Sequence, residues 1–286
     1  MQMSPRGLAT ITTDLRPPWR GSAGLPVLLH HGIGADHRIW SEWVPILAAR
    51  HPVTRFDMRG FGRSPVPPED HSWSMDEMVA DLWDVADAAS LERVHLVGES
   101  MGGTIALAAA LTAPHRVASL TLSNASYKGA GLGELPAWEA QFREGGVAGW
   151  SSRMMENRFA PGAGTPDALA WFAGVQAQTH AHVAIGLGRV LAAADLTQEL
   201  RGFETPLRIV LPDSSPFVPV RHGAEMRELA PNASLRIVPG VRHGLPFTHA
   251  RQEATALLGF LAEVEGCAGR DAQAALGRLA GRGEDT

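Results

Sequence analysis

Short, mostly apolar runs alternate with longer segments of helical periodicity along much of the chain. Runs that are apolar at successive positions are typical of strands buried on both faces of a sheet. Six of these runs stand at residues 26–29, 53–56, 94–97, 117–122, 207–211 and 235–238. Helical patterns occur at 75–89, directly after residue 100 and at 251–264. The alternation predicts an α/β fold with a doubly wound, mostly parallel sheet.

Residues 125–203 interrupt this alternation. The strand signal is lost here, tryptophan and methionine appear, and glycine and proline break the helical segments. We expect a helical cap, inserted before the next-to-last strands and placed over the carboxyl edge of the sheet, where open α/β sheets bind ligands. The predicted organisation is a core formed by residues 1–124 and 204–265, the cap at 125–203, and a tail at 266–286 with a short helix and a frayed end.

The composition of the chain limits the kinds of partner and the cellular compartment that we expect. The chain has 286 residues, is 45% hydrophobic and carries a net charge of -5 without a basic run, so no nucleic-acid partner is expected. Cys267 is the single cysteine, which excludes an intrachain disulfide and fits a reducing compartment. No signal-peptide pattern is present, and no uncharged apolar stretch approaches about eighteen residues. We expect a cytoplasmic protein with no membrane partner; the sequence is compatible with a homodimer.

A GxSxG pentapeptide at residues 98–102 provides the first candidate chemistry. It lies where the predicted strand at 94–97 meets a helix of small residues at 104–111, and this context can hold Ser100 on a tight turn that exposes its hydroxyl. The glycines have a steric role, because a Cβ at either flanking position would collide with the neighbouring chain. Ser100 is therefore the candidate nucleophile.

A serine nucleophile needs a base and a group that stabilises the oxyanion. His243 is the best placed histidine, because it follows a short strand and a turn at 239–242, which puts it at the carboxyl edge of the sheet. The oxyanion site is expected from backbone N–H groups. Met101 would provide one and Ile33, in the turn after the strand at 26–29, the other.

Several segments together resemble a known superfamily. They are the pentapeptide, a His-Gly turn at 31–32 followed by Trp40, the run DMRGFGRS at 57–64, and a late Gly-x-x-His at 240–243. Over roughly residues 8–265 the chain is similar to the α/β-hydrolases, and most similar to the 3-oxoadipate enol-lactonase group of lactonases and esterases. The resemblance implies a Ser, His and acid triad, a helical cap, and hydrolysis of a small-molecule ester or lactone without a metal or an organic cofactor.

The acid of this triad departs from the family pattern. In the family it follows the next-to-last strand and directly precedes a Pro-x-x-Pro segment. Here that segment is 216–219, and the residue before it is Ser215, which cannot hold an imidazolium by charge. Three explanations compete: Asp213 reaches the histidine through a shifted turn, an acid from another loop substitutes although Asn124 is uncharged, or the site has no acid. We favour Asp213.

The cap gives limited information on the substrate. Trp138 and Trp150 are candidates for an apolar pocket. Arg153 or Arg158 is a candidate anchor for a substrate carboxylate, although we expect either one to be a solvated surface charge more readily than an anchor. His180 and His182 form a His-x-His pair without a third ligand at a usual spacing, so no metal site is expected.

Two other functions remain open at this stage. The same serine could serve a C–C bond hydrolase or a cofactor-free perhydrolase. Alternatively, the chain is a non-catalytic protein that binds a small molecule, and Ser215 at the acid position is the feature that favours this interpretation.

Overall fold

The computed structural model describes residues 1–19, 24–129 and 135–280, with the side chains of 267–280 excluded. Within these residues one sheet contains eight strands. They are β1 (Gln2–Met3), β2 (Ala9–Thr13), β3 (Val27–His30), β4 (Val53–Phe56), β5 (Val94–Glu99), β6 (Val117–Ser123), β7 (Leu207–Pro212) and β8 (Ala233–Val238).

The strand order is β1-β2-β4-β3-β5-β6-β7-β8. β1 and β2 pair in antiparallel fashion, β2 pairs antiparallel with β4, and the pairs from β4 through β3 to β8 are parallel. The prediction of a mostly parallel α/β sheet is confirmed. The sequence patterns did not predict β1 and β2, because β1 has only two residues and β2 contains three threonines among its five residues.

Helices cover both faces of this sheet. The α-helices of the described chain are α1 (Val44–Leu47), α2 (Met75–Ala88), α3 (Met101–Thr112), α4 (Leu135–Arg158), α5 (Pro166–Gln176), α6 (Ala181–Ala193), α7 (Thr197–Leu200), α8 (Val220–Leu229), α9 (Leu245–Thr248) and α10 (Ala250–Ala280). Single-turn 3₁₀ helices lie at His37–Trp40 and Pro114–Arg116.

The side-chain alternation of β3 shows why residues 27–29 are all apolar. Leu28 packs into the core shared with α2 and α3, whereas Val27 and Leu29 pack into the core on the other face with α1 and α10. Successive side chains of a strand point to opposite faces, so a strand covered on both sides needs apolar residues at every position. The buried runs of the sequence therefore identified the central strands.

Helices α4 to α7 occupy the part of the chain between β6 and β7. This agrees with the loss of strand signal there, although Lys128 and Asp195 form an isolated antiparallel bridge at the base of the segment. Gly146, with φ of 60°, breaks α4 in its middle. The domain boundaries themselves stay a prediction.

The last helix is longer than the sequence pattern indicated. α10 continues to Ala280 and includes most of the predicted tail. Residues 281–286 and the side chain of Cys267 lie outside the described residues. Among the helices that the structure describes, none has the length and apolar character needed to cross a membrane.

Candidate active site

Ser100 occupies a sharp turn between β5 and α3. Its backbone has φ of 54° and ψ of -125°, a conformation that non-glycine residues rarely adopt. A Cβ at Gly98 would lie 2.5 Å from the carbonyl oxygen of Gly102, and one at Gly102 would collide with the His31 carbonyl. The steric role predicted for both glycines is confirmed, and the turn leaves the Ser100 hydroxyl at the carboxyl edge of the sheet.

The structure brings His243 to this serine. The Nε2 atom of His243 lies 3.0 Å from Ser100 Oγ, and the imidazole is buried. Asn124, which follows β6 with φ of 55°, donates from Nδ2 to the His243 carbonyl oxygen at 2.5 Å. Sequence reasoning considered Asn124 only for its lack of charge; the structure shows that it holds the backbone of the histidine loop.

Ser215, and not Asp213, lies beside the other ring nitrogen of His243. Ser215 Oγ is 3.1 Å from Nδ1 and also accepts weakly from the backbone amides of Phe217 and Val218 at 3.3 and 3.4 Å. The Oδ1 atom of Asp213 accepts instead from the Gly240 amide at 2.8 Å and from the Ser214 hydroxyl. The hypothesis that Asp213 reaches the imidazole does not agree with this geometry, because the carboxylate braces the turn that precedes His243.

The two predicted oxyanion donors belong to segments next to Ser100, namely the start of α3 and the turn after β3. Met101 is the first residue of α3, and amides of the first helical turn have no partner within the helix. Ile33 lies in the turn after β3, which Gly34 completes with φ of 75°. Among the described residues the Ile33 amide makes no backbone hydrogen bond. Both N–H groups stay candidates for binding a ligand oxygen.

Glu99 and Arg158 are buried beside these groups, and sequence reasoning missed their position. Glu99 Oε2 accepts from the Gly32 amide at 2.8 Å, and its Oε1 lies 3.7 Å from His243 Nε2 and 3.9 Å from Arg158 Nη1. Arg158, at the end of α4, donates to the Ile33 carbonyl at 2.5 Å and to Gln176 Oε1 at 3.0 Å. The one signal for Glu99 was an acidic residue at the end of a fully buried strand.

Burial controls the ionisation of this cluster. It raises the pKa of Glu99 to about 7, although the Arg158 guanidinium and the hydrogen bond from Gly32 act in the opposite direction. Burial also lowers the pKa of His243 well below its usual value, and the Arg158 charge lowers it further. The imidazole is therefore neutral at pH 7 and able to accept a proton from Ser100.

A cavity of about 320 Å³ opens next to His243 between the sheet and the cap. The described residues that line it are Gly129, Leu135, Pro136, Trp138, Met154, Gly188, Leu191, Ala192, Phe217, Val218 and His243. Apart from the imidazole, none of these side chains carries a polar group other than the Trp138 indole N–H. The cavity therefore suits a hydrocarbon group.

The predicted substrate-binding residues have different positions relative to this cavity. Trp138 lines it. Trp150 is fully buried behind it, against Phe142 and Trp138, and is not among the described lining residues. The Arg153 side chain is 60% exposed and pairs with Glu156 at 2.9 Å, so it does not reach the cavity. The expectation that Arg158 is a solvated surface charge is wrong, since only 3% of it is exposed.

Two clusters outside this site have side chains of the types that bind metals. They are Asp36, His37 and Asp57, and His51, His95 and Glu265. In the first, Asp57 accepts from His37 Nδ1 at 2.6 Å and from the Arg63 amide, so it braces two loops. In the second, His95 Nε2 lies 3.3 Å from Glu265 Oε1. Neither cluster contains a residue of the Ser100 site.

Comparison with known proteins identifies the family. The model of the alpha/beta hydrolase fold matches residues 26–250, so the chain belongs to this family. It is 30% identical to the pimeloyl-acyl-carrier-protein methyl ester esterase of Methylococcus capsulatus, over 84% of this chain and 95% of that protein. It is 42% identical to the 2-hydroxy-6-oxo-2,4-heptadienoate hydrolase of Pseudomonas putida, over 36% of this chain. That match, like others of similar identity, spans only 38% of the relative's length.

Solved structures confirm the fold over nearly the whole chain. The esterase from Thermogutta terrifontis superposes with a TM-score of 0.78 at 23% identity, covering 90% of this chain and 93% of that one. The enol-lactonase from Burkholderia xenovorans superposes with a TM-score of 0.77 at 20% identity, covering 89% and 96%. At these identities the likeness concerns the fold alone.

Proposed function

We propose that the protein is a serine hydrolase of small, uncharged carboxylic esters or lactones. The observation that carries the proposal is the 3.0 Å contact between Ser100 Oγ and His243 Nε2 at a strained strand-to-helix turn. A neutral imidazole in hydrogen-bond contact with a serine hydroxyl is the arrangement that activates this nucleophile. The esterase relative from M. capsulatus, which aligns over most of both chains, supports the same class of reaction.

The proposed reaction has two halves. Ser100 Oγ attacks the ester carbonyl carbon while its proton passes to His243 Nε2, and the carbonyl oxygen becomes an oxyanion that accepts from the Ile33 and Met101 amides. His243 then gives the proton to the leaving alkoxide, and an acyl group remains on Ser100. In the second half water attacks this acyl group while His243 accepts its proton. The bond between Ser100 Oγ and the acyl carbon then breaks, His243 returns the proton to Ser100 Oγ, and the carboxylic acid leaves.

The position of the proton on His243 decides whether Ser215 helps this reaction. Nε2 can accept from Ser100 only when Nδ1 carries the hydrogen, and Ser215 Oγ must then act as the acceptor. A neutral hydroxyl orients the ring but does not compensate the charge of an imidazolium. Substrates with good leaving groups, such as enol lactones, aryl esters and thioesters, depend least on a strong base. We therefore place activated esters ahead of unactivated alkyl esters.

Covalent labelling tests the proposed nucleophile. A fluorophosphonate is expected to add one phosphonyl group to the protein, because it reacts with a serine that a histidine activates. Mass spectrometry of the digested product should locate the group on Ser100, and Ser100→Ala should remain unlabelled. Ser214→Ala, a neighbouring loop serine outside the proposed machinery, is the matched control and should label like the wild type. An unlabelled wild type would contradict the proposal.

The apolar cavity predicts the preference for the acyl group. In a series of p-nitrophenyl esters from acetate to hexanoate, kcat/KM should rise by about fourfold for each methylene, which corresponds to about 0.8 kcal/mol of burial. The p-nitrophenyl half-ester of adipic acid, matched in chain length to hexanoate, should react at least about 100-fold more slowly because no cation among the described lining residues can pair with its carboxylate. Equal rates for the two six-carbon esters would exclude this cavity as the acyl site.

A C–C bond hydrolase is the second candidate, since the P. putida relative is named as a hydrolase of 2-hydroxy-6-oxo-2,4-heptadienoate, a compound that contains no ester bond. The substrate in that name is a carboxylate, and the cavity offers no side chain to bind one among its described lining residues. Comparing p-nitrophenyl acetate with a vinylogous diketone separates the two functions. Faster turnover of the diketone would replace the esterase proposal.

A further inference from the structure

The carboxylate next to His243 lies on the unexpected side of the ring. In the described chain, Glu99 is the acidic residue with an oxygen within 4.0 Å of either imidazole nitrogen, and it approaches Nε2. Nδ1 faces the Ser215 hydroxyl. Any negative charge that stabilises a protonated His243 must therefore come from the side that also faces Ser100.

Glu99 is held firmly in this position. It ends β5, directly before the nucleophile, and is buried. One carboxylate oxygen accepts from the Gly32 amide at 2.8 Å, and the other lies 3.7 Å from His243 Nε2 and 3.9 Å from Arg158 Nη1. The groups that face the carboxylate are thus the turn after β3, the end of α4 and the loop after β8. Among these described groups, Arg158 and His243 carry or acquire charge.

The position of Glu99 matters when Ser100 transfers its proton to His243, because the imidazole then becomes positively charged. The imidazolium forms in a buried site next to the Arg158 guanidinium, so without Glu99 two cations would face each other away from water. With Glu99 ionised, its negative charge lies within 4 Å of both positive groups, and opposite charges in a buried site interact strongly. Ser215 contributes no charge to this balance.

We propose that Glu99 is a positioning residue that replaces the missing triad acid, by compensating the charge of protonated His243 from the Nε2 side. The inference rests on the hydrolase function proposed above and adds to it. Glu99 acts through His243 and takes no part in bond making. Its hydrogen bond to Gly32 also connects this charge to the turn that carries Ile33.

The pH dependence follows from the ionisation of the pair. The active form has Glu99 charged and His243 neutral. Because burial raises the pKa of Glu99 to about 7, whereas that of His243 lies well below its usual value, kcat/KM should rise with pH through about 7 as Glu99 loses its proton. The histidine would already be neutral throughout this range. Strongly interacting groups share their titration, so the measured midpoint belongs to the pair.

Replacing Glu99 by glutamine separates its charge from its structural role. The glutamine side chain keeps the volume and an oxygen that can accept from the Gly32 amide. In Glu99→Gln we expect kcat/KM to fall by about 100-fold, mainly through kcat, and the rise near pH 7 to disappear. If Glu99 only supports the turn, Glu99→Gln will keep the wild-type rate and pH profile, and the proposal is overturned.

A carboxylate introduced on the conventional side of the ring should rescue this variant. Ser215→Asp puts a carboxylate at the position that now holds the hydroxyl next to Nδ1. In the Glu99→Gln variant, adding Ser215→Asp should raise kcat/KM by at least about tenfold. In the wild type the same substitution should raise kcat/KM by a smaller factor, because Glu99 already compensates the imidazolium charge. Equal gains in both backgrounds would show that the two carboxylates act independently, which contradicts replacement of one by the other.

A titration followed by NMR tests the coupling of Glu99 and His243 without any catalytic turnover, so its outcome does not depend on the proposed hydrolase function. In Ser100→Ala protein, the NMR signals of the His243 ring should shift with a midpoint near pH 7, because the imidazole senses the titration of Glu99. The same step should be absent in Ser100→Ala/Glu99→Gln. If wild-type protein hydrolyses no ester, the hydrolase proposal fails, yet this titration still decides whether the two groups are coupled. An unchanged titration in the double variant overturns the inference about Glu99.

Discussion

His243→Gln is expected to lower kcat/KM for a p-nitrophenyl ester by about 10⁴-fold. Two known losses of rate set the limits of this expected value. In a serine protease with a full triad, loss of the histidine costs about 10⁶-fold and loss of the acid about 10⁴-fold, so a histidine without any acid contributes only about 100-fold. We expect a value between these limits because Glu99 supplies the missing charge at 3.7 Å from Nε2. Steady-state kinetics on the activated ester measure the loss.

The control for this variant comes from the loop after β7, which contacts the turn before His243. Asp213→Asn removes a carboxylate but keeps an oxygen that can accept from the Gly240 amide, so the turn before His243 should persist. Its rate is expected to stay within about threefold of the wild type, since a bond to an exposed backbone amide changes little in stability or reactivity. A loss of about 10³-fold or more in Asp213→Asn would restore Asp213 as the triad acid and contradict the observed geometry.

The His243 variant also tests the link to Glu99. Groups that act as a unit are not additive, so Glu99→Gln/His243→Gln should be no slower than His243→Gln alone. If the double variant loses a further factor of about 100, Glu99 acts on the substrate directly and not through the imidazole.

The fold and the central pair of site residues could be predicted from local patterns. β5 and α3 flank the pentapeptide, and the sterically required Gly98 and Gly102 place Ser100 at a turn that only a few residue patterns can form. His243 could be predicted because parallel strands end at one edge of the sheet, so a histidine after β8 and a serine after β5 share that edge. Both inferences depend on chain topology and not on side-chain detail.

The electrostatic partners could not be predicted in the same way. Asp213 and Ser215 lie two residues apart in one loop. Which of them contacts His243 depends on the hydrogen bond between the Gly240 amide and the Asp213 carboxylate, which holds Asp213 away from the imidazole. Arg158 ends a helix of mixed polarity, and its burial depends on how the cap packs on the Ile33 turn. Such contacts join segments distant in sequence, and their positions are set by tertiary packing.

The cluster around Glu99 connects reactivity to the cap. Arg158 belongs to α4 of the cap, contacts the Ile33 carbonyl of the oxyanion turn, and lies 3.9 Å from the Glu99 carboxylate. Any movement that withdraws Arg158 would leave Glu99 without its cationic neighbour. The pKa of Glu99 would then rise further, because the Arg158 charge is the largest effect that opposes burial. The position of α4 and the ionisation of Glu99 are therefore linked through the Arg158 guanidinium.

Gly98→Ala is expected to destabilise the protein by about 3 kcal/mol or more and to abolish labelling of Ser100. The added Cβ would lie 2.5 Å from both the Gly102 oxygen and the Gly103 Cα, which are backbone atoms of α3 that cannot rotate away. The turn must therefore move. Thermal unfolding should show a fall in Tm of roughly 6 to 12 °C.

Gly259→Ala is the matched control for this substitution. Gly259 lies in helix α10 with no described atom within 4 Å of an added Cβ, and alanine in an open helical position stabilises by about 0.5 to 1 kcal/mol relative to glycine. Its Tm should rise slightly and its labelling should match the wild type. If Gly98→Ala unfolds at the wild-type temperature and still labels at Ser100, the steric account of the turn is wrong. In that case the exposure of the serine must have another cause than close backbone packing between β5 and α3.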